Sequence, residues 1–326
     1  MSLKKIVYLF GAGATHAEIL NLEESPDQKF RSNNGLLISN VSNRVMKNAR
    51  YNSRFKKNVE LVTSTEGSLN IELLISLIEI NRIPDSDFKI NYLKGLIRSD
   101  IKSKLSDTRK KKFYLHKALF ELHSKITDKE ELLGIVSLNY DGILDEAYET
   151  VLGVKPNYCL TSERGESVPL LKLHGSFDWG KLNIYGKQKK VSIIPLGINK
   201  NYLIPPYNFI WSRAFEVMVK CDILRIVGCS LSQNDIGLID LLFKAHLERA
   251  GDLEIQIVDF PDAGDQIKNN YGFFRKIVKL GDDIKEPPVA EIITDTGNPF
   301  RVWLKAMGLY MLDDRIKQTK YLKKCL

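Results

Sequence analysis

Five short motifs carry the residue types that could do chemistry, and each follows a run that reads as a strand. The first is Gly11-Ala12-Gly13-Ala14-Thr15, directly after the apolar run Ile6 to Phe10. Glycine lets a backbone approach a ligand closely. A helix starting there turns free N–H groups towards a phosphate. This GxG lacks the third glycine of a full dinucleotide fingerprint, so it also describes a tight turn with no ligand. The second motif is Ser137-Leu138-Asn139-Tyr140-Asp141. Asn139 can orient a water or hold a ribose hydroxyl, and Asp141 can accept from a carboxamide. Turns rich in Asn and Asp also form for conformational reasons alone. In the third, Leu171-Lys172-Leu173-His174-Gly175-Ser176, the imidazole is the candidate base, because histidine moves protons most readily near neutral pH. The fourth, Gly228-Cys229-Ser230-Leu231, repeats a glycine turn and offers the Ser230 hydroxyl and backbone N–H groups to ribose or phosphate. Asp235, just beyond, reads as a cap of the next helix. Last, Asp259 ends the run Leu253–Asp259, where an acid can accept from adenosine ribose hydroxyls or serve as an ordinary loop residue.

These motifs need elements to position them. Residues 4–10, Leu132–Leu138, Pro169–Leu173, Val191–Leu196, Ile223–Val227 and Leu253–Asp259 read as strands. Helices are expected from near Ile143, over 208–220, from Gln233 to Ala250 and over 264–279. Strands alternating with helices predict an α/β fold, a Rossmann-like parallel sheet with helices on both faces. Ligands bind beyond the carboxyl ends of such strands, where all five motifs fall. Between about 36 and 127 the pattern is helical. Ile71, Leu74, Ile75 and Ile78 share one helix face, and Phe113–Ile126 is similar. The expected organisation is a discontinuous nucleotide-binding domain (1–23 and 128–280), a helical insertion (24–127) and a mostly helical tail (281–326), interrupted near Gly308.

Composition narrows the class. The 326 residues are 44% hydrophobic and 27% charged, ordinary for a globular protein. No apolar run is long enough to cross a bilayer. The N-terminal run is short and passes at once into glycines, so it reads as a strand rather than a signal peptide. Cys159, Cys221, Cys229 and Cys325 form no CxxC pair, so neither a structural zinc site nor a disulfide framework is expected. A reducing, cytoplasmic setting follows. The net charge of +8 favours anionic partners, but the basic residues are scattered and the runs RKKK, KQKK and KYLKK read as solvated faces. No nucleic-acid motif accompanies them.

In their order, GAGAT, SLNYD, KLHGS, GCSL and a strand ending IVD resemble the sirtuin family over residues 4–22 and 130–260. The resemblance implies NAD as the bound molecule. It places Asn139 and Asp141 at the nicotinamide-ribose end and makes His174 the general base. Gly11, Ala12, Gly13 and Thr15 would serve the phosphates, and Gly228 and Ser230 the ribose and phosphate, with Asp259 at the adenosine end. The chain departs from sirtuin deacetylases in lacking the zinc ribbon and in having Leu138 where they carry Gln. It thereby looks like the sirtuin-like NAD hydrolases of bacterial anti-phage defence. That likeness implies cleavage of NAD by Asn139 and His174, no metal, a homo-oligomer, and sensing either by the helical insertion or by a separate partner such as a HerA-type ATPase. Two rival readings are an NAD-dependent deacylase and a non-catalytic sensor of NAD or ADP-ribose.

Overall fold

The alternation in KKIVYLF sets the layers of the molecule. Side chains of a strand point alternately to opposite faces. Ile6, Tyr8 and Phe10 pack into one core, Val7 and Leu9 into another, and all five are fully buried. A computed structural model describes residues 3–21, 35–49, 71–80, 85–109, 113–162, 165–179, 181–184, 187–190, 193, 202–231, 235–250, 252–259, 267, 277–279, 298–311 and 314–326. In it β1 (Lys4–Phe10) is central, flanked by β2 (Glu130–Ser137) and then β3 (Leu170–Lys172). A separate antiparallel hairpin, β4 (Lys181–Ile184) and β5 (Lys187–Lys190), stands off the sheet. On the other side of β1 lie β6 (Ile223–Val227), β7 (Glu254–Val258) and β8 (Ile277–Lys279). All five pairings in the main sheet are parallel, in the order β3-β2-β1-β6-β7-β8. This is the doubly wound Rossmann-like arrangement, and its strand order reverses between β1 and β6.

Helices cover both faces. The helix α1 (Ala12–Leu20) follows β1. The insertion supplies α2 (Ile38–Ala49), α3 (Ile71–Ile80) and α4 (Ser86–Arg109). Their apolar faces make a third cluster, in which Ile71, Leu74, Ile75 and Ile78 are fully buried as their spacing predicts. A two-pronged Arg44–Asp100 pair, at 2.8 and 2.7 Å, ties α2 to α4. By contrast α5 (Leu115–Glu121), with its π-helical continuation Leu122–Ile126, packs in the same core as Ile6, Tyr8 and Phe10. Beside it lie α6 (Ile143–Leu152) and the C-terminal α9 (Pro299–Met311), whereas α7 (Tyr207–Lys220) and α8 (Ile236–Glu248) cover the opposite face. No helix among the described residues is long and apolar enough to cross a membrane.

The structure corrects two expected elements. Ile277–Lys279 is the sixth strand, pairing with Ile255–Ile257, so the helix expected over 264–279 does not extend through its last three residues; Ile267 is helical, and the rest of that run lies outside the described residues. Three residues are too few for a period to separate strand from helix. Gly308 lies inside α9 and does not interrupt it. A side chain there would begin 3.1 Å from Leu326, so the bare glycine lets the end of the chain pack closely. Of the run Val191–Leu196, only Ile193 falls among the described residues.

Two buried ionic arrangements hold the layers together. Glu18 on α1 is fully buried and accepts the backbone N–H groups of Tyr114, Leu115 and His116 at 2.9–3.1 Å, and its Oε1 lies 2.8 Å from the His116 ring. It thus caps α5 from a different element, and the negative charge suits the positive helix end. Glu18→Ala is expected to leave several donors unmet and to cost about 3–5 kcal/mol. Denaturant unfolding measures this; a cost under about 1 kcal/mol would show that water replaces the carboxylate.

Within the sheet layer, the buried Arg225 guanidinium donates to Glu130, Gln256 and the Tyr8 hydroxyl, and stacks 5.1 Å from the Trp303 ring. The Tyr8 hydroxyl lies 2.6 Å from His123 Nε2. Burial, reinforced by Arg225 and opposed by Glu130, pushes His123 down to about 4. Its imidazole is therefore neutral in the folded protein at neutral pH. The folded value lies below the unfolded one of about 6.5, so this contribution is complete above pH 6.5. As pH falls from about 6.5 towards 4, the unfolded chain binds a proton that the folded one refuses, and stability declines. Melting temperature should drop across that window, and less steeply in His123→Gln; identical slopes would exclude His123 as the cause.

Candidate active site

The carboxyl ends of β1 and β6 meet at the reversal point of the sheet. Gly11 N donates to Val227 O at 3.1 Å and Gly13 N to Gly228 O at 2.8 Å, so the two glycine turns interlock. Gly228 has φ +57°, in the left-handed region that favours glycine, and a side chain on Gly13 would begin 2.7 Å from its Cα. Above the turns opens a cavity of about 480 Å³. This falls in the usual size range of cofactor pockets.

The residues singled out from the sequence all border this cavity. They are Gly11, Ala12, Gly13 and Thr15 from the first turn, Asn139 and Asp141 after β2, His174 after β3, Gly228 and Ser230 after β6, and Asp259 after β7. The N-terminus of α1 opens into it, and the first turn of α1 carries no acidic residue to neutralise the helix dipole. Such an end favours an anion.

Asn139 Nδ2 donates to Gly11 O at 2.8 Å and to Thr15 Oγ1 at 3.0 Å. The Thr15 hydroxyl in turn donates to Asp141 Oδ2 at 3.0 Å, while Asp141 Oδ1 accepts the N–H of Ile143, the first residue of α6, at 3.1 Å. Both Asp141 oxygens are thus already engaged, each with one further lone pair for a ligand. Behind this loop the buried Lys172 ammonium donates to Asp141 O, to Asp145 Oδ2 at 2.7 Å and to Ser176 Oγ at 3.3 Å. The β2 and β3 ends are thereby pinned to each other.

His174 is 4% exposed and leaves β3 at a turn continued by Gly175 at φ +81°. Its Nε2 lies 3.0 Å from Asp235 Oδ2, though out of line for a hydrogen bond. Tyr140 packs beside it, with ring centroids 6.2 Å apart. Burial first, then the charges of Asp235 and Glu72, push the Tyr140 hydroxyl well above its usual range, so it stays protonated and can donate. Burial also pushes the Cys229 thiol up to about 12, which removes it as a nucleophile near neutral pH.

Sequence reasoning missed several members of this site. Lys172 had a signal, a lone lysine in an otherwise apolar strand run. Glu72 and Ile97 and Ile101 of the insertion also border the cavity. Glu72 is an acid in the first turn of a very apolar helix, but nothing local says that the helix roofs a pocket. Among the described residues no group of three or more His, Cys, Asp and Glu side chains could hold a metal ion.

No protein-family model matches the sequence, and no curated protein matches it. Among solved structures, one reported for the mechanism and regulation of Sir2 enzymes superposes with a TM-score of 0.37 at 14% identity, covering 98% of this chain and 95% of that one. A Sir2 homologue in complex with NAD gives 0.34 at 13%, over 93% and 91%. A mutant Sir2 homologue with 2′-O-acetyl ADP ribose gives 0.37 at 14%, over 84% and 92%. Likeness at this level carries no argument about ligand or chemistry; the sheet order and the cavity stand on this chain's own geometry.

Proposed function

We propose that the chain is an NAD glycohydrolase that cleaves NAD to nicotinamide and ADP-ribose. The observation that carries the reading is one cavity holding two glycine turns, a helix N-terminus, Asn139 and His174, roofed by Ile97, Ile101 and Glu72 of the insertion. The turns and the helix end suit a pyrophosphate. Asn139 has its amide N–H groups anchored to the first turn and can present Oδ1 to a ribose hydroxyl or a water. A deacylase needs in addition a groove that brings an acyl-lysine to the ribose; the absence of CxxC pairs from the sequence and Leu138 before Asn139 favour the hydrolase reading.

The reaction breaks the bond between ribose C1′ and the nicotinamide nitrogen. Its transition state is oxocarbenium-like, as in glycoside hydrolysis. The electron pair of the bond goes to the pyridinium nitrogen, so nicotinamide leaves neutral without an acid. Water bonds to C1′ and gives its proton to His174. Asp141, with one lone pair free on each oxygen, would hold the carboxamide N–H₂.

The test is to incubate the full chain with NAD and no peptide. Nicotinamide and ADP-ribose should appear in equal amounts. Nicotinamide released only with an acyl-lysine peptide would establish the deacylase instead, and NAD binding without turnover would establish a sensor. The biological role proposed from the motif resemblance is NAD depletion in anti-phage abortive infection, in a homo-oligomer or with a HerA-type ATPase. NAD levels in infected cells carrying the wild-type or the His174→Ala chain test it.

A further inference from the structure

Asp235 reaches the site on the stretch between β6 and α8. Its Oδ1 accepts the Leu238 N–H at 3.3 Å, which caps α8. Capping needs only one neutral oxygen, and Ser or Asn would serve as well. A carboxylate is an expensive choice here, because the side chain is 5% exposed and a buried charge is costly unless something polar faces it. What faces its second oxygen, at 3.0 Å, is Nε2 of the equally buried His174. The Tyr140 hydroxyl lies within the field of the same carboxylate.

We propose that Asp235 is the positioning residue of His174: it keeps the ring proton on Nε2, so that Nδ1 carries the lone pair that takes the proton from the attacking water. A neutral imidazole has one donor and one acceptor nitrogen, and the partner of one fixes the role of the other. Nε2 is out of line with Oδ2, and catalytic hydrogen bonds of this kind tighten when a substrate packs against the ring. The mechanistic part rests on the NAD-hydrolysis reading, whereas the tautomer is a property of the protein alone.

The test is Asp235→Asn. Asparagine keeps an oxygen for the Leu238 N–H, so α8 stays capped. Its NH₂ can donate to Nε2, which moves the ring proton to Nδ1 and removes the base. kcat should fall about 10²–10⁴-fold with KM within about threefold of wild type. Asp235→Glu should recover part of kcat. Nitrogen-15 spectra of the histidine rings, with His174 assigned from its absence in His174→Ala, should show the Nε2–H form in the wild type and Nδ1–H in Asp235→Asn. The wild-type spectrum stands even if the variant fails to fold. An Nδ1–H form in the wild type, or wild-type kcat in Asp235→Asn, overturns the proposal. If the wild type releases no nicotinamide, the hydrolase reading fails, while the spectra still decide whether Asp235 sets the tautomer.

Discussion

His174→Ala should lower nicotinamide release by about 10²–10⁴-fold, the range for loss of a general base, with KM for NAD little changed. His174 is 4% exposed and is one of many residues lining the cavity, so its removal takes away a proton acceptor but little of the surface that would hold the dinucleotide. Asn139→Ala should behave differently. Its Nδ2 ties the loop after β2 to Gly11 O and Thr15 Oγ1, so its loss also loosens the first glycine turn. Both a lower kcat and a raised KM are expected from it. Steady-state kinetics separate the two patterns, and circular dichroism shows whether each variant is folded. Wild-type turnover by either variant would remove that residue from the chemistry.

Gly228→Ala should be among the most damaging single methyl groups around the cavity. The residue has φ +57°, and a Cβ would be driven into the backbone of Gly13 and Ala14. Neither of these can step aside. Gly13 N already donates to Gly228 O, and Gly11 N to Val227 O, so the two turns are fixed by each other. A left-handed backbone on a residue with a side chain costs about 1–2 kcal/mol, and overpacking adds about 1–3 kcal/mol. The protein should lose about 2–5 kcal/mol of stability and its measurable NAD affinity. Urea unfolding and calorimetric titration with NAD read the two losses. Unchanged binding would mean that the turns are free to separate.

The positions of the turns were legible because glycine and polar residues end apolar runs abruptly. Gly11, Asn139, His174 and Gly228 each stand at such an ending, and parallel pairing then brings the endings side by side. What was illegible depends on contacts between distant segments. Asp235 looks like a helix cap and is one; its approach to His174 follows from the crossing between β6 and α8, which leaves no local trace. The roof over the cavity was equally hidden, since the helical period of α3 and α4 tells which faces are apolar and not what they cover. Lys172 shows the same limit from the other side. Its type was visible in KLHGS, but its three acceptors come from the loop after β2, from α6 and from Ser176.

Glu18 also decides where this chain can be cut and rejoined. An excision that ran through α5 would strip the carboxylate of its donors and uncover the face of β1 that carries Tyr8 and Phe10. A cut made before Phe113 would spare both. The stretch α2–α4 is then the exchangeable cassette: its three helices bring the Arg44–Asp100 clasp with them, and their apolar faces must still match Ile19, Tyr140, Ile143 and Phe177, which share their cluster. Trading that cassette between homologous chains would change the side chains that α2–α4 contribute to the cavity while keeping the two glycine turns. On the proposed hydrolase reading, acceptor preference and control would then diverge among relatives that keep His174.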